Sequence, residues 1–487
     1  MPYLSWKSFD YKGDAFSVFE AIKDRAVPFF LDSSLRKYGL GRYSFLGCEP
    51  FYVFKGQGPA ALEELRRLLE RYKLKIPKTD FPFFGGAVGY FSYDWGLSLE
   101  DIDSRGKTDL ALPEVFFAFY DVVIAIDHLK NKLYVFSSGL PEKLRSLAEK
   151  KARERLRQVI SSLRGVPRSG TTKQSPLGAK ESIERTAKIA QKVITEGDFL
   201  ERLLRFARND SFKPPGLISN FTKDRYLQAV NKAKDYIRKG DIYQVNLSQR
   251  FFAQSRIGPD ELYASLRRES PGGFSAYLDC GDFQILSSSP ERFLCFDGKK
   301  VYTRPMKGTR PRGQDRQSDK RNKENLLQSS KDKAELLMIA DLMRNDLGRV
   351  CEYGSVKVKA LRNLEAYSTV YQTTATVEGV LHKDRDRIDL LKACFPGGSI
   401  TGCPKIRSMR IIDELEPTRR GIYTGALGYL GFNGGMDLNI LIRTILKKGD
   451  KIYFQAGGGI VADSQAESEY QETLVKAKGM FKAIGAR

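Results

Sequence analysis

Thr303-Arg304-Pro305-Met306-Lys307-Gly308-Thr309-Arg310-Pro311-Arg312 is the stretch from which the rest of the chain is read. Proline fixes its own backbone angle and restricts the residue before it, while glycine permits a bend that side-chain sterics otherwise forbid. The spacing predicts a turn that holds Lys307 in place, among arginines of the same charge. Neighbouring positive charge and burial both disfavour the protonated amine, which is how a lysine becomes a nucleophile near neutral pH. Taken alone, the run fits a solvated basic loop better, because charge runs are usually surface. The surrounding chain decides between the two.

A length of 487 residues exceeds one ordinary core and suits two or three domains. Hydrophobic content of 41% with 29% charged residues places the chain among soluble globular proteins. The start MPYLSWKSFDYKGDAF has no basic segment followed by an apolar run, so no signal peptide is expected. No apolar segment approaches the roughly 20 residues of a membrane helix, so no membrane role is expected. Cys48, Cys280, Cys295, Cys351, Cys394 and Cys403 have no CxxC spacing and read as reduced thiols of a cytoplasmic protein. The net charge of +22 raises nucleic acid as a partner. Its basic residues are interleaved with acids, however, and no helix-turn-helix, zinc-finger or RNP-type string occurs, so a small acidic substrate is the better use of the charge. With only His128 and His382 available, acid–base chemistry falls on carboxylates, lysine or tyrosine.

Residues 1–164 read as strands with intervening helices, including the buried runs VFFAFYDVVIAIDH and NKLYVFSSG. Residues 165–219 form a linker in which Pro/Gly/Ser-rich loops flank a helical pattern at 181–208. Residues 220–487 form a second unit, opening on a helix capped by Thr222 and closing on a helix from Asp463 with Ser464 and Glu467 as its capping box. Many strands without a regular βαβ alternation give an α+β class with largely antiparallel sheets.

On the last helix Glu469, Glu472 and Lys476 share a face. Such a flank fits a solvated surface, or a hard-cation site in which Mg²⁺ takes one or two carboxylates plus substrate oxygens. Glu335 opens an otherwise apolar helix, where an acid needs a reason that the sequence alone does not supply. GGSITGCPK fails as a Walker A loop, because Cys403-Pro404 stands where Lys-Ser/Thr is required. Gly457, Gly458 and Gly459 read as a tight turn, or as an anion nest that Ser399, Thr401 and Arg443 would complete into a carboxylate pocket. Arg443, mid-strand in LNILIRTIL, fits a ligand group better than a structural salt bridge, since a guanidinium is rarely buried unpaired. Glu291, beside Pro290, fits a structural ion pair or a general acid of raised pKa.

Together the strings GDIYQVNLSQRF, SSSPERF, TRPMKGTRPRG, AELLMIADLMRNDLGRV, FPGGSITGCPKIRSMRIIDELEP, YTGALGYLG, LIRTI and GGGIVADSQAESEYQET resemble the chorismate-utilising enzymes. The resemblance is strongest to the aminodeoxychorismate synthase component I branch, and looser over residues 1–164. It implies antiparallel sheets packed as a sandwich with helices outside, an anthranilate synthase component I-like domain at 1–164 and a chorismate-binding catalytic domain at 220–487. Lysine at position 307 marks that branch, where anthranilate synthases are expected to carry alanine. The resemblance further implies that Lys307 attacks C2 of chorismate, Glu291 protonates the departing 4-hydroxyl, and ammonia then adds at C4. It assigns Mg²⁺ to Glu335 and Glu472 with Glu469 close by, and substrate binding to Arg443, Tyr423 and the Gly457–Gly459 amides. Gln244 stands where water-adding relatives are expected to have a base lysine. Gln372 departs from the family histidine and cannot take a proton at neutral pH. Glutamine-derived ammonia would need a separate amidotransferase subunit, and release of para-aminobenzoate for folate synthesis another enzyme.

Overall fold

Val115–Tyr120 and Val122–Asp127 are runs of aromatic and β-branched residues without helical period, and both are fully buried strands. Asp121 separates them, and there the chain changes sheets: the first strand pairs with Gly86–Phe91, the second with Lys132–Ser137. The structure, a computed structural model, describes residues 4–35, 40–74, 81–167, 216–367 and 370–485. The helix expected at 181–208 lies outside the described residues. Among those described, the strands form one sheet of 12 and one of 10, each an antiparallel ladder. The expected α+β class is found, with 11 helices among the described residues around two large antiparallel sheets.

Adjacent residues on a strand point to opposite faces, and Phe29 and Phe30 show the consequence. Phe29 packs between the sheets, its ring centroid 4.6 Å from that of Tyr120. Phe45 on the next strand reaches Phe83 at 5.4 Å, and Phe83 stacks on Tyr429 at 4.4 Å. Phe30 joins the outer core, where helices Ala15–Glu20, Pro259–Glu269 and Ala466–Ala483 cover the larger sheet with Phe19, Leu262, Leu266, Ala477 and Met480. Burying each of the phenylalanine, leucine and methionine side chains among these contributes about 2 kcal/mol.

Both sheets draw on both halves of the chain. Phe29–Asp32 pairs with Phe274–Asp279, and Gly86–Phe91 pairs with Ala426–Gly431. The sequence boundary between 164 and 220 therefore does not divide the strands into two separate sheets. Gly89 marks how close the ladders run: a Cβ there would lie 1.9 Å from the Phe116 carbonyl oxygen.

Four local expectations change. The lysine run is a strand, Met306–Pro311, paired with Val370–Val380 and bulged between Lys307 and Thr309 at Gly308, whose φ is +76°. Pro305 and Gly308 shape that strand instead of closing a turn. Gly457–Gly459 lie inside the strand Lys451–Ile460, opposite Ser248, Leu247 and Asn246, so they are ladder residues and not a free nest. Arg443 sits between the strands Met436–Ile440 and Thr444–Lys448 with φ +51°, and not in mid-strand. The final helix has Gln465 at its N-cap without a side-chain bond, so Ser464 and Glu467 make no capping box. Thr222 does cap the helix Lys223–Arg238, accepting from the Arg225 N–H at 3.3 Å. The six cysteines are free, and among the described residues no helix is long and apolar enough to cross a membrane.

Candidate active site

The bulged strand places Lys307 where the two sheets and the final helix converge. Thr373, opposite it in the ladder, donates its hydroxyl to the Lys307 carbonyl, which fixes the backbone under the side chain. A Cβ built on Gly459 would lie 3.4 Å from Lys307 Nζ and 2.7 Å from Gln244 Nε2. Glycine at 459 therefore makes room for both groups. Gln244 is 0% exposed, and neither its Oε1 nor its Nε2 has a protein partner. A buried amide without partners is costly, so its groups stand available to a ligand.

Burial lowers the Lys307 pKa, and the Lys476 ammonium acts in the same direction, against the opposing charges of Glu335, Glu291 and Glu472. The flanking arginines are not the source of repulsion that the sequence pointed to. Arg304 pairs with Glu365, Arg310 with Asp332 at 2.8 Å, and Arg312 with Asp319 at 2.7 Å. Each is neutralised by its own acid, leaving Lys476 as the like charge that reaches Lys307.

Glu291, 5% exposed, lies between the strands Gln284–Ser289 and Arg292–Phe296. Burial pushes its carboxyl up to about 7, although Ser399, Lys307, Lys476 and the Met306 N–H favour the anion. Ser399 donates its hydroxyl to Glu291 Oε1 at 2.6 Å, so its proton orients the acid. Thr401 likewise donates inward, to the carbonyls of Gly397 at 3.0 Å and Gly398 at 3.3 Å. The structure thus gives these two hydroxyls to the protein, where the sequence assigned them to a ligand.

On the final helix, Glu469 is 4% exposed; Ser464 donates to its Oε1 at 2.6 Å, while its Oε2 has no partner. Burial raises its pKa, and the Glu472 charge adds to that. Burial acts against the Glu472 anion too, but the Lys476 ammonium at 2.6 Å outweighs it and the pKa falls. Lys476 also donates to the Gly457 carbonyl at 3.0 Å. A Cβ on Gly458 would lie 3.1 Å from Glu469 Oε2 and 3.4 Å from Glu472 Oε1, so the two carboxylates converge over that glycine. Glu335, on the helix Ser330–Gly348, is close enough for its charge to act on Lys307. Among the described residues no three acid, histidine or cysteine side chains form a closed metal cluster. The converging pair with an orphaned buried oxygen fits a cation that keeps open positions for substrate oxygens.

Arg443 has no ion-pair partner among the described residues, and burial lowers its pKa. Tyr423 is buried, and its phenol is shifted upward by that burial. Gln372, also buried, donates to Thr309 Oγ1 at 3.5 Å and so touches the lysine strand. Sequence reading missed Asn246, whose buried Oδ1 has no partner, and Ser464, which it took for a helix cap. The alternation of VNLSQ carried a signal for Asn246, a polar residue on a strand next to glycines. Glu365 was also missed, although it binds Arg304, the Thr374 hydroxyl at 3.0 Å and the Tyr367 hydroxyl.

Comparison with known proteins places the chain in a family. The family model described as "chorismate binding enzyme" matches residues 36–482. The chain is similar to anthranilate synthase component 1 of Thermus thermophilus, 37% identical over 475 residues, covering 95% of this chain and 93% of the relative. It is similar to aminodeoxychorismate synthase component 1 of Bacillus subtilis, 36% identical over 461 residues, covering 91% and 89%. Among solved structures, anthranilate synthase component I of Streptococcus pneumoniae aligns with a TM-score of 0.73 at 31% identity, covering 92% of this chain and 93% of that one. A buried lysine, a buried acid and a pair of convergent carboxylates thus sit on a fold whose relatives carry both synthase names. The chain belongs to the chorismate binding enzyme family, as a chorismate-utilising enzyme of its anthranilate and aminodeoxychorismate synthase group.

Proposed function

We propose that the chain is an aminodeoxychorismate synthase component I, converting chorismate and ammonia to 4-amino-4-deoxychorismate and water. One observation carries the reading: the Lys307 amine, its proton affinity lowered by burial, adjoins the unpartnered Gln244 and feels the charge of the acid Glu291. An amine in that state is a nucleophile, and a carboxyl shifted to about 7 still carries the proton a leaving hydroxyl needs.

Lys307 Nζ, as the free amine, forms a bond to C2 of chorismate. The ring double bonds shift, the C4–O bond breaks, and Glu291 gives its proton to the hydroxyl, which leaves as water. The proton shed by the alkylated nitrogen resets Glu291. Ammonia then adds at C4 as the C2–N bond breaks; Glu291 protonates the departing lysine and recovers the proton from the new ammonium. Two allylic displacements replace one difficult substitution. Gln244 has no proton-accepting group at neutral pH, so it orients substrate or ammonia and does not activate water. Arg443, Tyr423 and Lys476 are assigned to the substrate's carboxylates, with the strand residues Gly457, Gly458 and Gly459 beside them. Ser399 and Thr401 support the pocket from behind. Glu469 and Glu472 would hold Mg²⁺, with the charge of Glu335 acting on the same site, and the ion would supply Lewis-acid and templating chemistry to a substrate carboxylate. Ammonia would come from glutamine through a separate amidotransferase subunit.

Relatives named anthranilate synthase support a second reading, in which ammonia adds at C2 and pyruvate is lost. Purified protein with chorismate, Mg²⁺ and an ammonium salt separates the two. The expected product is 4-amino-4-deoxychorismate. Immediate fluorescent anthranilate, with no lyase added, would overturn the proposal.

A further inference from the structure

We propose that Arg420 is the positioning residue on which the chorismate pocket is assembled, with Tyr93 of the N-terminal segment holding one face of its guanidinium. The inference rests on chorismate as the substrate and not on which amine is the product.

Arg420 is 2% exposed, and its guanidinium has five N–H donors. All five are engaged. Nε donates to Glu416 Oε2 at 2.9 Å, and Nη2 to Glu416 Oε1 at 2.7 Å and to the Asn246 carbonyl at 2.8 Å. Nη1 donates to the Ile400 carbonyl at 3.0 Å and to Thr424 Oγ1 at 3.2 Å. No donor remains for a ligand, so a direct substrate role is closed to it.

What it holds is the pocket itself. Ile400 lies between Ser399, which orients Glu291, and Thr401, whose carbonyl accepts from the Asn246 N–H at 2.7 Å. Asn246 stands opposite Gly459 in the ladder, two residues from Gln244. Thr424, held at φ +61°, follows Tyr423. Glu416 Oε1 also accepts from Ser248 N at 2.8 Å and Ser248 Oγ at 2.9 Å, which ties the same arginine to the Gln244 strand a second time. The Arg420 carbonyl accepts from Gln455 Nε2 at 3.1 Å, just before the glycine run. One side chain thus joins the Ser399 turn, the Gln244 strand and the Tyr423 loop.

The guanidinium carbon lies 4.7 Å from the Tyr93 ring centroid and 5.6 Å from that of Tyr423. Such contacts favour a guanidinium over an ammonium, because the planar fork stacks and bonds at once. Tyr93 is itself locked to the loop: its N–H donates to the Gly421 carbonyl at 2.8 Å, and the Gly421 N–H donates to Asp94 Oδ2 at 3.1 Å. Residues 93 and 94 of the N-terminal segment therefore bear directly on the loop that carries Tyr423.

The test is chorismate consumption, whatever the product, by wild type, Arg420→Lys and Thr424→Val. Lysine keeps the charge but loses the fork; valine keeps the shape of Thr424 but removes the acceptor. The expected result is a chorismate KM raised about tenfold in each, within the coupling range of one hydrogen-bond network. The pH profile of kcat should stay in place, since neither Glu291 nor Lys307 bonds to Arg420. Should Arg420→Lys fail to fold, Thr424→Val and Tyr93→Leu decide, with the same rise in KM expected. A lowered Tm with wild-type KM would make Arg420 merely structural and overturn the proposal. A product other than 4-amino-4-deoxychorismate bears on the proposed activity alone, leaving the KM comparison intact.

Discussion

Glu291 is the residue whose environment makes the sharpest prediction. Its folded pKa of about 7 lies above the roughly 4.3 of an unfolded glutamate. Between those values the unfolded chain releases a proton that the folded chain keeps, so this residue lowers stability progressively as pH rises from about 4 to 7. Glu291→Gln removes that cost. It should raise stability at pH 8 by on the order of 2 kcal/mol in denaturant melts, while leaving stability at pH 4 nearly unchanged. The same variant should lose about 10²-fold or more in kcat, because an amide cannot protonate a leaving hydroxyl. For the wild-type enzyme, kcat should fall as pH rises through about 7. Gln at 291 with undiminished turnover would remove Glu291 from the chemistry. Lys307 imposes the opposite limb: its amine must be free, so activity also falls toward low pH, and the two limbs belong to the coupled pair.

At the scale of elements, the strand Lys451–Ile460 is built to let side chains through. Gly459→Ala would place a methyl 2.7 Å from Gln244 Nε2 and 3.4 Å from Lys307 Nζ, both ends of side chains. The expected outcome is a folded protein with activity reduced about 10²-fold, since small displacements of reacting groups are costly. Gly89→Ala would meet the Phe116 carbonyl at 1.9 Å, which is backbone, and should instead abolish soluble expression. If circular dichroism and melting show the two variants equally unfolded, the glycine run serves the sheet and not the site. Strand type and the helices Lys223–Arg238, Ser330–Gly348 and Ala466–Ala483 were legible because hydrophobic period reports them locally. The bulge at Gly308 was not: bending the lysine run into a strand depends on pairing with Val370–Val380, a partner far along the chain. For the same reason the Gly457–Gly459 run looked like a turn, since glycine is silent about whether it serves a tight turn or a close neighbour. Ser464 bonds to Glu469 instead of capping the helix, a choice settled by a buried carboxylate and not by helix propensity.

At the scale of the whole molecule, the halves on either side of residues 165–219 complete each other's sheets. Residues 1–164 alone would expose the edges of Phe29–Asp32 and Gly86–Phe91, and residues 220–487 their partners. Neither fragment should yield a cooperative melt by itself, whereas the two co-expressed should purify together. Two independent transitions in the intact chain would contradict this. Lys307, Glu291 and the acids of the final helix were each legible through the family's strings, but their convergence was not. It arises because the final helix packs over the glycine strand while the bulged strand approaches from the other sheet. The measurement that tests the central claim most directly is the intact mass of the protein quenched after mixing with chorismate and Mg²⁺ without ammonia. The account predicts a species heavier by chorismate less one water, mapped by peptide analysis to Lys307 and absent from Lys307→Ala. An adduct on another residue, or a Lys307→Ala variant that still forms 4-amino-4-deoxychorismate at the wild-type rate, would contradict it.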